Sequence, residues 1–139
     1  MREIRYQLVF DGKVSPEDEM GKVMLVDTRA QFTPQTDALF ITGAPQAVLT
    51  ARVEPDDFGG FREMGEIVFG GGTIIFTSAG DGSIGESALS TLQLGSALLR
   101  IESGTGAFVG ATGTIASVFT VSEDAEMRDS QSAVIFLKD

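Results

Sequence analysis

The chain has 139 residues, a net charge of −10, and neither Cys nor His. That length suits one core of ordinary domain size, and the missing residue types exclude disulfides, thiolate chemistry, ordinary zinc or haem ligation and a Ser-His-Asp triad. Twenty acidic against ten basic residues repel phosphate backbones and anionic lipid, so neither nucleic acid nor membrane is expected as a partner, while 42% hydrophobic residues exclude a charged disordered chain.

The opening residues read as a strand, because Ile4, Tyr6, Leu8 and Phe10 alternate with Glu3, Arg5 and Gln7. They show neither the apolar core nor the small-residue cleavage site of a signal peptide, and no apolar run reaches the roughly 18 residues of a membrane helix. A cytoplasmic location is the expectation. Asp11-Gly12 reads as a turn, and Ser15-Pro16-Glu17-Asp18 as the start of a single helical turn that Gly21 ends. Enrichment in Val, Ile, Phe and Thr between turn residues predicts further strands over 22–27, 38–42, 47–54, 61–69, 73–78, 87–102, 114–122 and 132–138. Gly70-Gly71-Gly72 and Asp81-Gly82 read as hairpin turns, and Gly95 as a bulge in a long strand. Consecutive hairpins favour a meander, and about eight strands favour a single all-β domain, a closed antiparallel β-barrel without free edges. Segments apolar on both faces, such as Leu98, Leu99 and Ile101, or Ala133 to Leu137, predict that part of the outer wall is covered by a second copy, as in a homo-oligomer, most simply a dimer.

The most distinctive stretch is Gly104-Thr-Gly-Ala-Phe-Val-Gly-Ala-Thr-Gly113. It is neither a dinucleotide fingerprint, since its third Gly comes one position late and a β-rich segment follows, nor a phosphate loop, since it lacks the Gly-Lys-Ser/Thr ending. The structural expectation is a tight connection, with positive φ at Gly104 and Gly106, Phe108 plugging a barrel end, and close backbone approach at Gly110 and Gly113. The run from Leu99 to Ile115, with its G-T-G-x-F-x-G-x-x-G core and the strands after it, resembles the C-terminal part of allene oxide cyclase-like and dirigent-like barrels, which are calycin-type. The first 90 or so residues match only in strand rhythm. Within that superfamily the chain looks most like bacterial spirotetronate cyclases, which close polyketide rings by intramolecular cycloaddition. The resemblance carries over no catalytic residue: plant allene oxide cyclases are associated with a water held partly by Asn, and this chain has no Asn.

Acid–base chemistry is left to carboxylates, Lys, Tyr6, or assisted Ser and Thr. Tyr6 and Glu63 are the two catalytic candidates, because each shares a strand face with apolar residues: Ile4, Leu8 and Phe10 for Tyr6, Phe61, Ile67 and Phe69 for Glu63. Burial would raise the Glu63 pKa, whereas a later strand start would leave Glu63 solvated. Met24, Arg52, Met64, Gln93, Arg100 and Phe119 are candidate substrate-binding residues, the methionines and Phe119 as adaptable lining. Glu86 and Glu102 are further candidates, on faces the alternation does not fix. Asp56-Asp57 and Asp81-Gly82-Ser83 lack calcium-loop spacing and read as surface turns, and Glu123, Asp124, Glu126 and Asp129 as a solvated hairpin. The expectation is a cofactor-free and metal-free cyclase or isomerase of bacterial secondary metabolism that folds a hydrophobic, polyketide-like substrate inside the barrel. A non-catalytic carrier of a hydrophobic small molecule, or a filled barrel serving assembly, are the alternatives.

Overall fold

Apolar side chains recurring at every second position put one pleated face against a common interior, and nearly every such stretch is a strand. The computed structural model describes residues 1–138. Its elements are β1 (Arg2–Pro16), β2 (Met24–Gln31), a one-turn helix α1 (Ala38–Ile41), β3 (Gln46–Pro55), β4 (Gly60–Phe69), β5 (Gly72–Ser78), β6 (Gly82–Glu86), β7 (Leu92–Gly104), a 3-10 turn at Gly106–Phe108, β8 (Thr112–Ser122) and β9 (Glu126–Leu137). All pairings are antiparallel, and the sheet closes because β1 pairs with both β2 and β9, and β3 pairs with both β2 and β4.

Between β4 and β7 one lane of the wall is shared. β5 pairs with β4 over Met64–Phe69 and β6 pairs with it at Gly60 and Phe61, while both pair with β7. The barrel therefore has eight staves, one of them interrupted at 79–81. Asp81-Gly82 is thus an irregularity within one stave and not a hairpin turn, whereas Gly70-Gly71 does connect a hairpin, with Phe69 opposite Gly72.

Five further sequence expectations are corrected. Asp11-Gly12 is no turn but lies within β1, paired on both sides with β2 and β9. Residues 38–42 are helical at Ala38–Ile41, because the Asp37 side chain accepts from the Leu39 N–H and caps the turn. No helix starts at Ser15, because ladder pairing of Ser15 with Leu25 and Pro16 with Met24 holds the chain extended. Gly95 is not a bulge: it lies opposite Phe119, whose ring occupies the space a Cβ would need. Gly82 receives the Phe61 ring in the same way. The last strand begins at Glu126, six residues earlier than expected, which moves Asp129 from the solvated hairpin into the barrel, where it is 3% exposed.

One end of the barrel is filled. Phe40 of α1, Phe69 of β4 and Phe108 of the 3-10 turn pack with Tyr6, at centroid separations of 4.8 Å for Phe40–Phe69, 5.6 Å for Phe40–Phe108 and 5.5 Å for Tyr6–Phe40. The Gly-rich connection makes this plug possible. Gly106 has φ 61°, a conformation that side chains disfavour, and a Cβ there would strike the backbone of Gly71 and Gly72. Gly104 lacks positive φ, contrary to expectation; a side chain there would instead strike the Phe108 backbone.

Candidate functional site

The opposite end of the barrel is open. A cavity of about 230 Å³ is lined by Val14 of β1, Met24 of β2, Val53 of β3, Phe61 and Glu63 of β4, Ile84 of β6, Gln93 of β7, Phe119 and Val121 of β8 and Met127 of β9. Every stave except the β5 half of the broken one contributes, so this is the mouth of the barrel and not a groove on its side. The edge-to-face contact of Phe61 with Phe119, at 5.9 Å, sits over the two glycines that make room for those rings.

Glu63 and the exposed Glu123 are the ionisable side chains of this lining, and the place of Glu63 within the apolar wall follows from the broken stave. Where β5 ends, the Glu63 N–H donates to the Ser78 hydroxyl at 2.7 Å, and that hydroxyl donates back to the Glu63 carbonyl at 3.2 Å. Ser78 thus replaces the missing ladder partner and keeps the strand extended, so that residues 61, 63, 65, 67 and 69 all face inward. Among the described residues the Glu63 carboxyl has no hydrogen bond or ion pair. Burial, and next the charge of Asp129, push its pKa up to about 8, so it is mostly protonated at neutral pH.

Deeper in the barrel lies a polar chain. Ser117 donates to Asp129 Oδ1 at 2.6 Å, Gln131 Nε2 donates to Asp129 Oδ2 at 2.9 Å, and the Tyr6 hydroxyl donates to Gln131 Oε1 at 2.7 Å. Burial raises the Asp129 pKa, against the lowering effect of Ser117 and Gln131. Burial also raises that of Tyr6 well above its ordinary value, so the phenol keeps its proton and donates a hydrogen bond to Gln131. The Thr28 hydroxyl, on β2, is buried and has no partner. The structure contains no physical reason for that.

Of the residues singled out from sequence, the structure brings Glu63, Met24, Gln93 and Phe119 together around the mouth. It does not bring Tyr6 there: the ring belongs to the aromatic plug and its only proton is already donated. Arg52, Met64 and Arg100 point away from the interior and are exposed. Arg52 holds Glu17 through two hydrogen bonds of 3.0 and 2.9 Å, and Arg100 donates to Glu102 at 3.0 Å. Glu86, at the end of β6, is likewise exposed. Arg52 and Met64 do line a broad outer groove of about 760 Å³ beside Leu25 and Ile75, but it is an open dent in the wall with no unpaired buried group. Asp56 is a turn residue, accepting from the N–H groups of Phe58 and Gly60, and Asp81 pairs with Arg62 at 2.6 Å.

Sequence reasoning missed Asp129, Ser117 and Gln131. A signal existed: Met127, Asp129 and Gln131 are in phase with Ala133, Ile135 and Leu137, and the alternation ran unbroken through the polar residues. Comparison of the chain with protein-family models, with curated proteins and with solved structures gave no match in any of the three.

Proposed function

We propose that the barrel is a cofactor-free cyclase or isomerase that holds a mainly apolar small molecule in its open mouth, with Glu63 as the acid. The observation that carries this reading is a protonated carboxyl, unpaired among the described residues, at the wall of a cavity lined mainly by Val, Ile, Met and Phe, with Gln93, Ser122 and Glu123 as its other polar residues. A group left in that state is destabilising for the fold, and such groups concentrate at working sites. The resemblance of the Leu99 to Ile115 stretch to cyclase barrels agrees with it.

The chemistry is that of confinement plus one proton donor. Apolar walls fold a flexible chain so that its reacting ends meet, which removes the entropic part of the barrier. The Glu63 O–H donates to a carbonyl oxygen of the substrate as electron density moves onto that oxygen, and it recovers its share of the proton when the ring has formed. In a cycloaddition the electron pairs shift within the substrate and no proton is lost or gained. In an isomerisation the carboxylate that remains after protonating the oxygen takes the proton from the adjacent carbon.

The test is turnover of linear, conjugated polyene ketones, followed by the loss of their ultraviolet absorbance. Glu63→Gln should remain folded and slow the reaction roughly ten- to a thousandfold, the range for one positioned acid or donor. Equal turnover by the variant would remove Glu63 from the mechanism.

A further inference from the structure

Resting on the reading of the mouth as the ligand site, we infer that its ligand presents an uncharged oxygen acceptor, a ketone or enone, and that carboxylates and phosphates are turned away. Three observations converge. First, all ten Lys and Arg side chains are exposed, so the interior holds no cation to receive an anionic ligand. Second, the ionisable groups that face Glu63 from the elements around it are both acidic, Asp129 of β9 and Glu123 at the β8–β9 turn, while β1, β2, β3, β6 and β7 present Val14, Met24, Val53, Ile84 and Gln93 and β5 presents Ser78. Third, the connections at this end repeat the sign. Glu17, Asp18 and Glu19 lie in the first, Asp56 and Asp57 in the second, and Glu123 and Asp124 in the last, against Lys22 alone.

An anion entering here crosses a negative field and then loses its hydration with nothing to replace it. An uncharged carbonyl meets neither obstacle and accepts the one hydrogen bond on offer. The fit extends beyond the cavity. About 230 Å³ is small for a whole ligand of the usual kind, and exposed apolar side chains lie on the connections at this end: Met20 on the first, Phe58 on the second and Leu89 on the one between β6 and β7. The carbonyl end therefore sits inside, with the apolar remainder across the rim.

The experiment is calorimetric titration of the wild type and Glu63→Gln with 2-nonanone, nonanoate and nonylamine at pH 7, and with the ketone again at pH 9.5. The wild type should bind the ketone at least tenfold more tightly than nonanoate or nonylamine. Its ketone affinity should fall about tenfold at pH 9.5, where Glu63 has lost its proton, while Glu63→Gln, still a donor, should bind the ketone equally at both pH values. Preference for nonanoate or for nonylamine overturns the inference and leaves the mouth reading standing, as does equal affinity for all three or a pH-independent ketone affinity in the wild type. Failure of all three to bind overturns both.

Discussion

Glu63 raises the question of why a fold keeps an acid where neutral side chains would pack without penalty. Its pKa in the folded state, about 8, lies above the unfolded value near 4.5, so the folded state holds the proton more tightly. The sign follows from linkage: this contribution to stability is fully present below about pH 4.5 and is lost as the pH rises through about 8. At roughly 1.4 kcal/mol per unit, the loss is several kcal/mol. Asp129 shifts in the same direction. Thermal denaturation from pH 5 to 8.5 should therefore show falling stability in the wild type. Glu63→Gln should flatten the dependence and melt higher at pH 8.5, and parallel curves for the two proteins would show Glu63 to be solvated. The inward phase of Glu63 was legible in sequence from Phe61, Ile67 and Phe69; that of Asp129 was not, because four acids within seven residues read as a solvated turn. Ser117 and Gln131 reverse that reading by hydrogen-bonding both carboxylate oxygens.

At the scale of elements, the two ends of the barrel are built differently. The closed end depends on α1, four residues long and too short to be stable by itself, which is held by the Asp37 cap and by one fully buried side chain, Phe40. Phe40→Ala should cost about 3–5 kcal/mol, read as a lowered denaturation midpoint, since its ring contacts Tyr6, Phe69 and Phe108 together. A cost below about 1 kcal/mol would mean that the plug collapses around the vacancy. The one-turn helix was not visible in sequence, because Leu39, Phe40 and Ile41 are as apolar as any strand and only Asp37 distinguishes them. Phe108 as a plug was visible, because the surrounding glycines leave it the one large side chain in the connection. The open end owes its aromatic pair to Gly82 and Gly95. An isolated glycine read as a bulge and a glycine beneath an aromatic ring look alike until the partner strand is known.

On the whole molecule the outer wall is uneven. Along β8 the outward positions are Thr112, Thr114, Ala116, Val118, Thr120 and Ser122, none of them charged; beside them Leu94 and Leu98 of β7 are exposed, and Val9 of β1 is exposed on the far side of Ser130 of β9. On a chain with net charge −10, an uncharged face is where two copies approach with least repulsion, which continues the expectation of a homo-oligomer. Light scattering should give at least twice the 14.7 kDa chain mass, and Val118→Lys should return it to the monomer value. A monomer in the wild type at all concentrations would leave this face simply wet. The barrel itself was legible from period-two alternation and glycine punctuation. Its closure through a broken stave was not, since β5 and β6 share a lane only because β6 reaches back past β5 to β4 and β5 pairs past β6 with β7.

The central claim, that an unpaired and protonated Glu63 is the working group of the barrel mouth, is tested most directly by following its carboxyl carbon by NMR through a pH titration, with and without 2-nonanone. The account predicts a midpoint near 8 in the free protein, moving higher when the ketone binds, because an acceptor on the carboxyl favours the protonated form. A midpoint near 4.5, or one that the ketone leaves unmoved, would contradict it.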